Sequence, residues 1–254
     1  MKNLQTKFSL IEPALLAESE KVQAWFTLKN SKYGLDGTTI PGLNFGYNTR
    51  ETKELVTANR LTLLSHLRLD PEWVAYADQV HSNRIQVVTE GGTYPSTDGL
   101  ITQIPGLTLG IQVADCAAIL LWDSTNQVIG ALHAGWRGAA GDIVPMGIEK
   151  MVEQGADPNT MGAFVSPCIS LRNFEVGQEV ADQFPDEFVD YKSYTKPHID
   201  LKAFLKHQIT EAGVFKDQIE ISEQCTIDEA DNFYSYRREG DKSGRMLALI
   251  QITE

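Results

Sequence analysis

The fold is decided by the stretch Ala117-Ala-Ile-Leu-Leu-Trp-Asp-Ser-Thr-Asn-Gln-Val-Ile-Gly-Ala-Leu132. Its two apolar runs, residues 117–122 and 128–132, are rich in aliphatic and β-branched side chains, which predicts two β-strands. The polar residues 123–127 between them are typical of a turn. The sequence therefore predicts a β-hairpin here, and such an antiparallel pair interrupts the βαβ alternation of a doubly wound protein.

Three helices are predicted, one before and two after this hairpin: residues 51–67, 143–154 and 201–212. Apolar side chains recur at helical spacing in the first helix. Glu51 and Glu54 fall in its first turn, where a carboxylate interacts favourably with the helix dipole. Gly155 and Gly213 follow the second and third helices and are suited to end them. Asp200 is a suitable N-cap for the third helix.

Further strands are predicted over residues 84–89, 107–113, 162–165, 219–222 and 246–252. Residues 30–48 are rich in Gly, Pro, Asn and Thr, which is typical of a long loop. Because hairpins interrupt the alternation of strands and helices, the sequence predicts an α+β (mixed α/β) sheet protein. No low-complexity linker or internal repeat divides the chain, so we expect one domain over residues 1–254.

The composition excludes several classes of protein. The chain has 254 residues and a formal net charge of −12. This charge argues against binding to nucleic-acid backbones and favours a monomer, because like charges repel. No apolar run approaches the roughly 20 residues that span a bilayer. The three cysteines, Cys116, Cys168 and Cys225, are odd in number and widely spaced, unlike a disulfide framework. We therefore expect a cytoplasmic protein without membrane or nucleic-acid partners.

A candidate functional site follows the second strand of the hairpin, at His133-Ala-Gly-Trp-Arg-Gly138. Glycine allows a ligand close to the backbone, arginine offers a fork of donors to phosphate or carboxylate, and histidine is a metal ligand or general base. Glycines continue to Gly141 before a predicted helix, so backbone N–H groups and Arg137 could hold a phosphate. Alternatively, the segment is a turn in which Arg137 pairs with Asp115 or Asp98.

Three residues near the ends of predicted strands, His81, Cys116 and His133, form a candidate metal site. Zinc prefers imidazole nitrogen and thiolate sulfur, and three protein ligands leave a fourth position open, as in catalytic zinc sites. Alternatively, the cysteine is a buried structural thiol and the histidines are ordinary hydrogen-bonded residues. Asp115 and Gln79 are polar residues within apolar stretches, which suggests that they orient the ligands or act in catalysis.

A second arginine-rich segment is Phe233-Tyr-Ser-Tyr-Arg-Arg238, with Arg245 shortly after it. Aromatic side chains beside arginines are suited to stacking on a flat ring and pairing with an anion. The alternative is a charged turn before the last strand, with the aromatic residues packed in the core. The chain has no phosphate-binding loop with Gly-Lys followed by Ser or Thr, which disfavours nucleotide hydrolysis.

These motifs, in this order, resemble the YfiH/YlmD laccase-domain family, whose members are named polyphenol oxidase, peptidoglycan editing factor or purine nucleoside phosphorylase. The resemblance covers nearly the whole chain. It rests on short matching segments: Leu43-Asn-Phe-Gly46, Asn59-Arg60, Gln79-Val-His-Ser82, Thr97-Asp-Gly-Leu-Ile-Thr102, Ala114-Asp-Cys116, His133-Ala-Gly-Trp-Arg-Gly138, Pro167-Cys-Ile169, Phe174-Glu-Val-Gly177, Cys225-Thr226, Phe233-Tyr-Ser-Tyr-Arg-Arg238 and Gly244-Arg245. Many short motifs in the correct order make the resemblance specific.

The resemblance implies a four-layer α/β/β/α sandwich with His81, Cys116 and His133 as metal ligands. It also implies phosphorolysis of adenosine, inosine and methylthioadenosine, with adenosine deamination as a second activity. Purine nucleosides and phosphate are then the expected small-molecule partners. Zinc is the expected cofactor, with copper as an alternative at the same site. We assign catalysis to Asp115 and Arg137. We assign substrate binding to seven residues: Asn44, Arg60, Gln79, Arg137, Tyr236, Arg237 and Arg245.

One departure from the family pattern is expected to affect substrate preference more than metal binding. The family usually has an Arg-x-Gly-Gly-Val-Ser loop after its first strand, where this chain has Leu28-Lys-Asn-Ser-Lys-Tyr-Gly34. Two smaller departures are Ser166, where the family has glycine before Pro-Cys-Ile, and Ala117, where a proline often follows Ala-Asp-Cys.

Three other functions stay open. A multicopper laccase needs roughly ten histidines, and this chain has five, which excludes a four-copper laccase. This count does not exclude oxidation of phenols by copper bound at His81, Cys116 and His133. A metal-free thiol hydrolase would use Cys116 and His133 on a peptide or a peptidoglycan precursor. A non-enzymatic binding or editing module would use none of the polar clusters for chemistry.

Overall fold

The computed structural model describes residues 8–34 and 37–253. Within them the chain forms two six-stranded mixed sheets, named sheet A and sheet B, and a two-stranded ribbon. The strands are β1 (Leu10–Ile11), β2 (Val22–Thr27), β3 (Val74–Ala77), β4 (Ile85–Val87), β5 (Gly92–Tyr94), β6 (Gly99–Thr102), β7 (Thr108–Val113), β8 (Ala117–Asp123), β9 (Val128–Ala134), β10 (Gly162–Val165), β11 (Val189–Asp190), β12 (His198–Ile199), β13 (Ile219–Ile221) and β14 (Met246–Ile252). The α-helices are α1 (Lys53–Leu67), α2 (Trp136–Ala140), α3 (Ile143–Glu153), α4 (Gln178–Ala181), α5 (Leu201–Glu211) and α6 (Tyr236–Glu239).

Both large sheets combine parallel and antiparallel neighbours. Sheet A has the order β1-β2-β14-β7-β3-β5, in which β7, β3 and β5 are parallel and the other pairs are antiparallel. Sheet B has the order β13-β10-β8-β9-β6-β4, in which only the two outermost pairs are parallel. The prediction of a mixed sheet protein is therefore confirmed.

The predicted hairpin forms the centre of sheet B. Strands β8 and β9 run antiparallel from Ala117, opposite Ala134, to the turn that begins at Asp123. The Asp123 carboxylate accepts the N–H groups of Thr125 and Asn126, which fixes the turn. Both strands are buried along their whole length, because each of their faces packs against another layer.

Three hydrophobic cores separate four layers. In β14, Ala248 and Ile250 pack between the two sheets, whereas Leu247 and Leu249 pack against the layer that contains α1. In β8, alternate side chains likewise face sheet A on one side and helices α3 and α5 on the other. This alternation follows from the two-residue period of a strand. The α/β/β/α sandwich implied by the family resemblance is confirmed.

The predicted start of the first helix is wrong by two residues. Helix α1 begins at Lys53, and Thr52 is its N-cap, whose side chain accepts the N–H of Leu55. Glu51 therefore precedes the helix. Its carboxylate accepts two N–H groups of the preceding loop, including that of Thr39. Glu51 thus fixes this loop rather than acting on the helix dipole.

The other predicted helices end within one residue of their expected positions. Asp200 caps α5 by accepting the N–H of Ala203, as expected for an N-cap. The predicted loop over residues 30–48 contains a single short 3₁₀ turn, Ser31–Tyr33, in its described part; Leu35 and Asp36 lie outside the described residues. No helix within residues 8–34 and 37–253 is both long and apolar enough to cross a membrane.

Replacing Leu120 by alanine is expected to lower the free energy of unfolding by about 2–5 kcal/mol, because its side chain is fully buried between the sheets and its loss leaves a cavity. Urea denaturation followed by circular dichroism measures the change. Leu61→Ala is the matched control, because Leu61 is exposed on α1 and its truncation should cost about 0.5 kcal/mol or less. Equal losses in both variants would contradict this placement of the core.

Candidate metal centre and its two cavities

The central hairpin supplies two of the three predicted metal ligands. His133 lies in β9 opposite Ala118, and Cys116 immediately precedes β8. This register brings Cys116 close to Gly135, which follows β9. A Cβ atom at Gly135 would lie 2.7 Å from the Cys116 Sγ atom, closer than atoms pack. Glycine at this position therefore leaves room for the thiol.

The third ligand, His81, lies in the loop that leaves β3 of sheet A. Its φ angle is 61°, in the left-handed region that residues other than glycine rarely adopt. The buried Asp98 carboxylate holds this conformation by accepting the N–H groups of Val80, His81 and Ser82. Because Asp98 immediately precedes β6 of sheet B, the loop from one sheet is fixed by a residue of the other.

The structure brings the three predicted ligands, named the trio, together. The donor atoms of His81, Cys116 and His133 all lie within 4.8 Å of one another, and the two imidazole rings are 4.8 Å apart at 78°. No other group of three or more His, Cys, Asp or Glu side chains converges in this way within the described ranges. This convergence disfavours the alternative of a separate structural thiol and unrelated histidines.

Asp98 also determines which nitrogen of His133 faces the trio. The Asp98 Oδ1 atom lies 2.7 Å from His133 Nδ1. Burial opposes the charge on Asp98, but hydrogen bonds from His133 and Ser82 outweigh it and lower its pKa to about 2. The carboxylate therefore accepts a proton-bearing Nδ1, which leaves Nε2 of His133 as the nitrogen available to a metal ion. The sequence suggests Asp98 only as a partner of Arg137 and gives no signal for this role.

Cys116 is surrounded by groups that favour its thiolate. Burial alone would raise the pKa of the Cys116 thiol, but His133 and His81 outweigh it and lower the pKa to about 6. Burial likewise opposes a charge on His133, yet Cys116 and Asp98 raise the pKa of its imidazole to about 9. The thiolate is the form of cysteine that binds metals. The site is thus electrostatically suited to a cation.

A cleft of about 590 Å³, named the metal cleft, opens from the trio to solvent. Its other walls include three amide side chains and three arginine or tyrosine side chains: Asn48, Gln79, Gln112, Arg50, Arg245 and Tyr236. The side-chain amide of Gln79 forms two hydrogen bonds with the backbone of Gln112, which fixes this wall. The trio therefore has one side accessible to a small molecule.

A smaller cavity of about 230 Å³ is also lined by His81 and Cys116. Its other walls include three further predicted site residues and three aromatic side chains: Asp115, Arg137, Arg237, Trp136, Phe174 and Tyr236. The Asp115 carboxylate accepts hydrogen bonds from Thr226 Oγ1 at 2.6 Å and from the Arg237 N–H at 2.8 Å. Tyr236, which is 52% exposed, lines both this cavity and the metal cleft.

The chain matches the family model described as multi-copper polyphenol oxidoreductase laccase over residues 23–253. The chain belongs to this laccase-domain family. A Corynebacterium glutamicum protein named purine nucleoside phosphorylase is 34% identical, covering 86% of this chain and 90% of that protein. A protein of an unknown prokaryotic organism named adenosine deaminase RL5 is 32% identical, covering 91% and 94%. The crystal structure of YlmD from Geobacillus stearothermophilus superposes with a TM-score of 0.87 at 29% identity, covering 95% and 94%.

Two residues assigned to substrate binding from the laccase-domain motifs lie outside both cavities. Asn44 is fully buried, and its side-chain oxygen accepts the N–H groups of Gly46 and Arg245. Asn44 therefore positions the backbone of Arg245, which lines the metal cleft. Arg60 is buried too, and it donates two hydrogen bonds to the carbonyl oxygen of Phe45. It lines a neighbouring cleft instead of the metal cleft.

Arg137 of this laccase-domain protein does not form the ion pairs that were considered for it. Its guanidinium lies 4.3 Å above the ring of Trp136, and no acidic side chain pairs with it in the described part of the chain. Asp98 and Asp115 are hydrogen-bonded to other groups. The alternative of a turn in which Arg137 pairs with one of these two residues is therefore not supported. The glycines are used for close packing: a Cβ atom at Gly138 would lie 3.1 Å from the His133 carbonyl oxygen.

The second arginine-rich segment combines both interpretations made from its sequence. Phe233 and Tyr234 are buried between the two sheets, as a core role predicts. Tyr236 and Arg237, two residues further on, line the cavities beside the trio. The Arg237 side chain also donates to the Glu175 carbonyl oxygen at 3.0 Å, which limits its freedom. The boundary between core and site therefore falls within this segment.

Replacing Asp98 by asparagine is expected to weaken metal binding about 10- to 100-fold, because it removes the carboxylate that orients His133 and holds the His81 loop. Competition with a chromophoric chelator measures the affinity. Asp190→Asn is the matched control, because this carboxylate accepts two N–H groups in a surface turn away from the trio. An affinity as high in Asp98→Asn as in the control would refute the role given to Asp98.

Proposed function

We propose that this laccase-domain protein is a zinc-dependent purine nucleoside phosphorylase that acts on adenosine, inosine and methylthioadenosine and also deaminates adenosine. The observation that carries the proposal is the open side of the His81, Cys116 and His133 trio, which faces the metal cleft of about 590 Å³. Ligand pockets typically enclose about 300–1,000 Å³, so a nucleoside fits in this volume. Relatives named purine nucleoside phosphorylase and adenosine deaminase support this substrate class.

The residues of the trio fit zinc. Two imidazole nitrogens and one thiolate belong to the preferred ligand set of this ion, and three ligands leave one position for water or substrate. Gly135 leaves space for the thiol, and Asp98 orients His133. When bound, zinc would supply a Lewis acid that polarises a substrate oxygen or a water molecule in the metal cleft.

The surrounding side chains offer the contacts that a nucleoside and a phosphate need. Tyr236 presents a half-exposed ring at the junction of the two cavities, with the Arg245 guanidinium 5.5 Å from its centre, and is suited to pack against a purine. Arg137 is exposed beside the smaller cavity without an acidic partner in the described ranges, and we assign it to phosphate. Asp115, held by Thr226, is the candidate for proton transfer to or from the substrate.

A four-copper laccase site has too few ligands in this chain. Besides the two histidines of the trio, the remaining three lie in separate places and pack against aromatic rings: His66 on Phe8, His198 on Tyr194 and His207 on Phe188. The trio alone converges within the described residues. Copper chemistry would therefore be limited to a single ion at the trio.

Phosphorolysis is tested with zinc-loaded protein, adenosine and inorganic phosphate. We expect adenine and ribose 1-phosphate, separated by chromatography, and no adenine without phosphate. Cys116→Ser is expected to lower kcat/KM about 100-fold or more, because it removes a metal ligand. Cys225→Ser is the control, because this buried thiol lines neither cavity. The absence of products from every purine nucleoside with zinc-loaded protein would overturn the proposal.

Metal removal distinguishes zinc catalysis from the two alternatives, a copper-dependent phenol oxidase and a metal-free thiol hydrolase. Protein produced without added copper is expected to contain about one zinc per chain by elemental analysis. A chelator should abolish phosphorolysis and added zinc should restore it, whereas a Cys116 thiol nucleophile would keep working in the chelator. Copper in place of zinc, together with oxidation of phenols, would instead support the polyphenol oxidase alternative. Activity on a peptidoglycan precursor that persists without metal would support the hydrolase alternative.

A further inference from the structure

Arg60 is a buried cation without an acidic partner. Its side chain is 7% exposed, and no ion pair joins it to an Asp or Glu within residues 8–34 and 37–253. Its Nε and Nη2 atoms donate to the Phe45 carbonyl oxygen at 2.9 and 2.7 Å. The rings of Tyr47 and Tyr76 lie 4.3 and 4.2 Å from the guanidinium carbon. Burial lowers the pKa of Arg60, which reports the cost of this unpaired charge.

Two more polar groups beside Arg60 are buried and unpartnered. The Tyr76 hydroxyl and the Gln112 side-chain oxygen have no hydrogen-bond partner in the described part of the chain. Only four buried side-chain atoms of the described residues lack a hydrogen-bond partner. Two of the four belong to Tyr76 and Gln112, which line the same cleft as Arg60. A buried polar group without a partner costs about 1–3 kcal/mol. The unpartnered Tyr76 hydroxyl, which can donate beside a buried cation, indicates that a ligand supplies the missing acceptor.

The cleft that contains these groups, named the tyrosine–arginine cleft, encloses about 620 Å³. Lys53, the first residue of α1, adds a second positive charge to its wall, and Asp78 is its single acidic side chain. Asn48, Gln79 and Gln112 line this cleft as well as the metal cleft. The two clefts are therefore neighbours along a shared wall of amide side chains.

We propose that the tyrosine–arginine cleft binds a phosphate group. The Arg60 guanidinium, the Lys53 ammonium and the Tyr76 hydroxyl all carry donor groups, and an oxyanion accepts from such groups. A phosphate here would also neutralise the buried charge of Arg60. Two sources share this chemistry: free inorganic phosphate, and the phosphate of a nucleotide whose nucleoside part occupies the metal cleft. The second source rests on the proposed function and would extend the substrate class to purine nucleotides.

Binding is measured by isothermal titration calorimetry on the full, zinc-loaded chain. The separate probes are inorganic phosphate, adenosine and adenosine 5′-monophosphate. Tyr76→Phe removes only the unpartnered hydroxyl, and Lys53→Ala removes an exposed charge at the start of α1. Lys206→Ala is the matched control, because Lys206 is an exposed lysine on α5, in a different layer of the fold.

Each cleft variant is expected to bind a phosphate-bearing probe about tenfold more weakly, the effect of losing one charge-assisted hydrogen bond. Adenosine affinity should not change, and Lys206→Ala should match the wild type. A loss for inorganic phosphate identifies a site for the free anion. A loss for adenosine 5′-monophosphate alone identifies a site for the phosphate of a nucleotide.

Unchanged affinity for both phosphate-bearing probes in Tyr76→Phe and Lys53→Ala would overturn the proposal. Calorimetry needs no turnover, so a failure of phosphorolysis is recognised separately by the absence of adenine. Thermal unfolding of Tyr76→Phe excludes a purely structural effect. Removal of an unsatisfied buried hydroxyl should leave the Tm of the unliganded protein unchanged or raise it.

Discussion

The site depends on one buried carboxylate, that of Asp98. It accepts the Nδ1 proton of His133 and three successive N–H groups of the loop that carries His81. Because β6, which follows Asp98, belongs to sheet B and the His81 loop leaves sheet A, these hydrogen bonds join the two sheets at the metal centre. A buried carboxylate is stable only when such donors compensate its lost hydration. Ligand geometry and sheet packing therefore depend on the same group.

The sandwich architecture gives this site a rigid support. Strands β8 and β9 are buried on both faces, and their register fixes the positions of Cys116 and His133 relative to each other. Gly135 then permits the close approach that a side chain would prevent. The groups that face the cavities, such as Tyr236 and Arg137, lie instead in short helices after strand ends. The candidate metal ligands on the strands are thus held rigidly, and the residues that face the cavities are more exposed.

The sequence was sufficient for the hairpin, the mixed-sheet class and the three metal-ligand candidates, because apolar periodicity and residue chemistry are local signals, whereas the four-layer arrangement came only from the family resemblance. It was insufficient for Asp98, because a carboxylate in a polar turn looks the same whether it meets solvent or an imidazole 35 positions away. The same limit applies to Glu51, which binds loop N–H groups instead of acting on a helix. Asn44 was selected from a shared motif, and only its contacts reveal that it holds Arg245.

The donor set of the trio comes from both halves of the sandwich: His81 from a loop of sheet A, and Cys116 with His133 from sheet B. An ion bound there closes a cross-link between segments that are distant along the chain. Since such an ion binds the folded chain more tightly than the unfolded one, its concentration sets part of the protein's resistance to heat. An ion at this trio would therefore hold the two sheets together as well as serve the proposed chemistry, and metal starvation would shorten the lifetime of the folded protein.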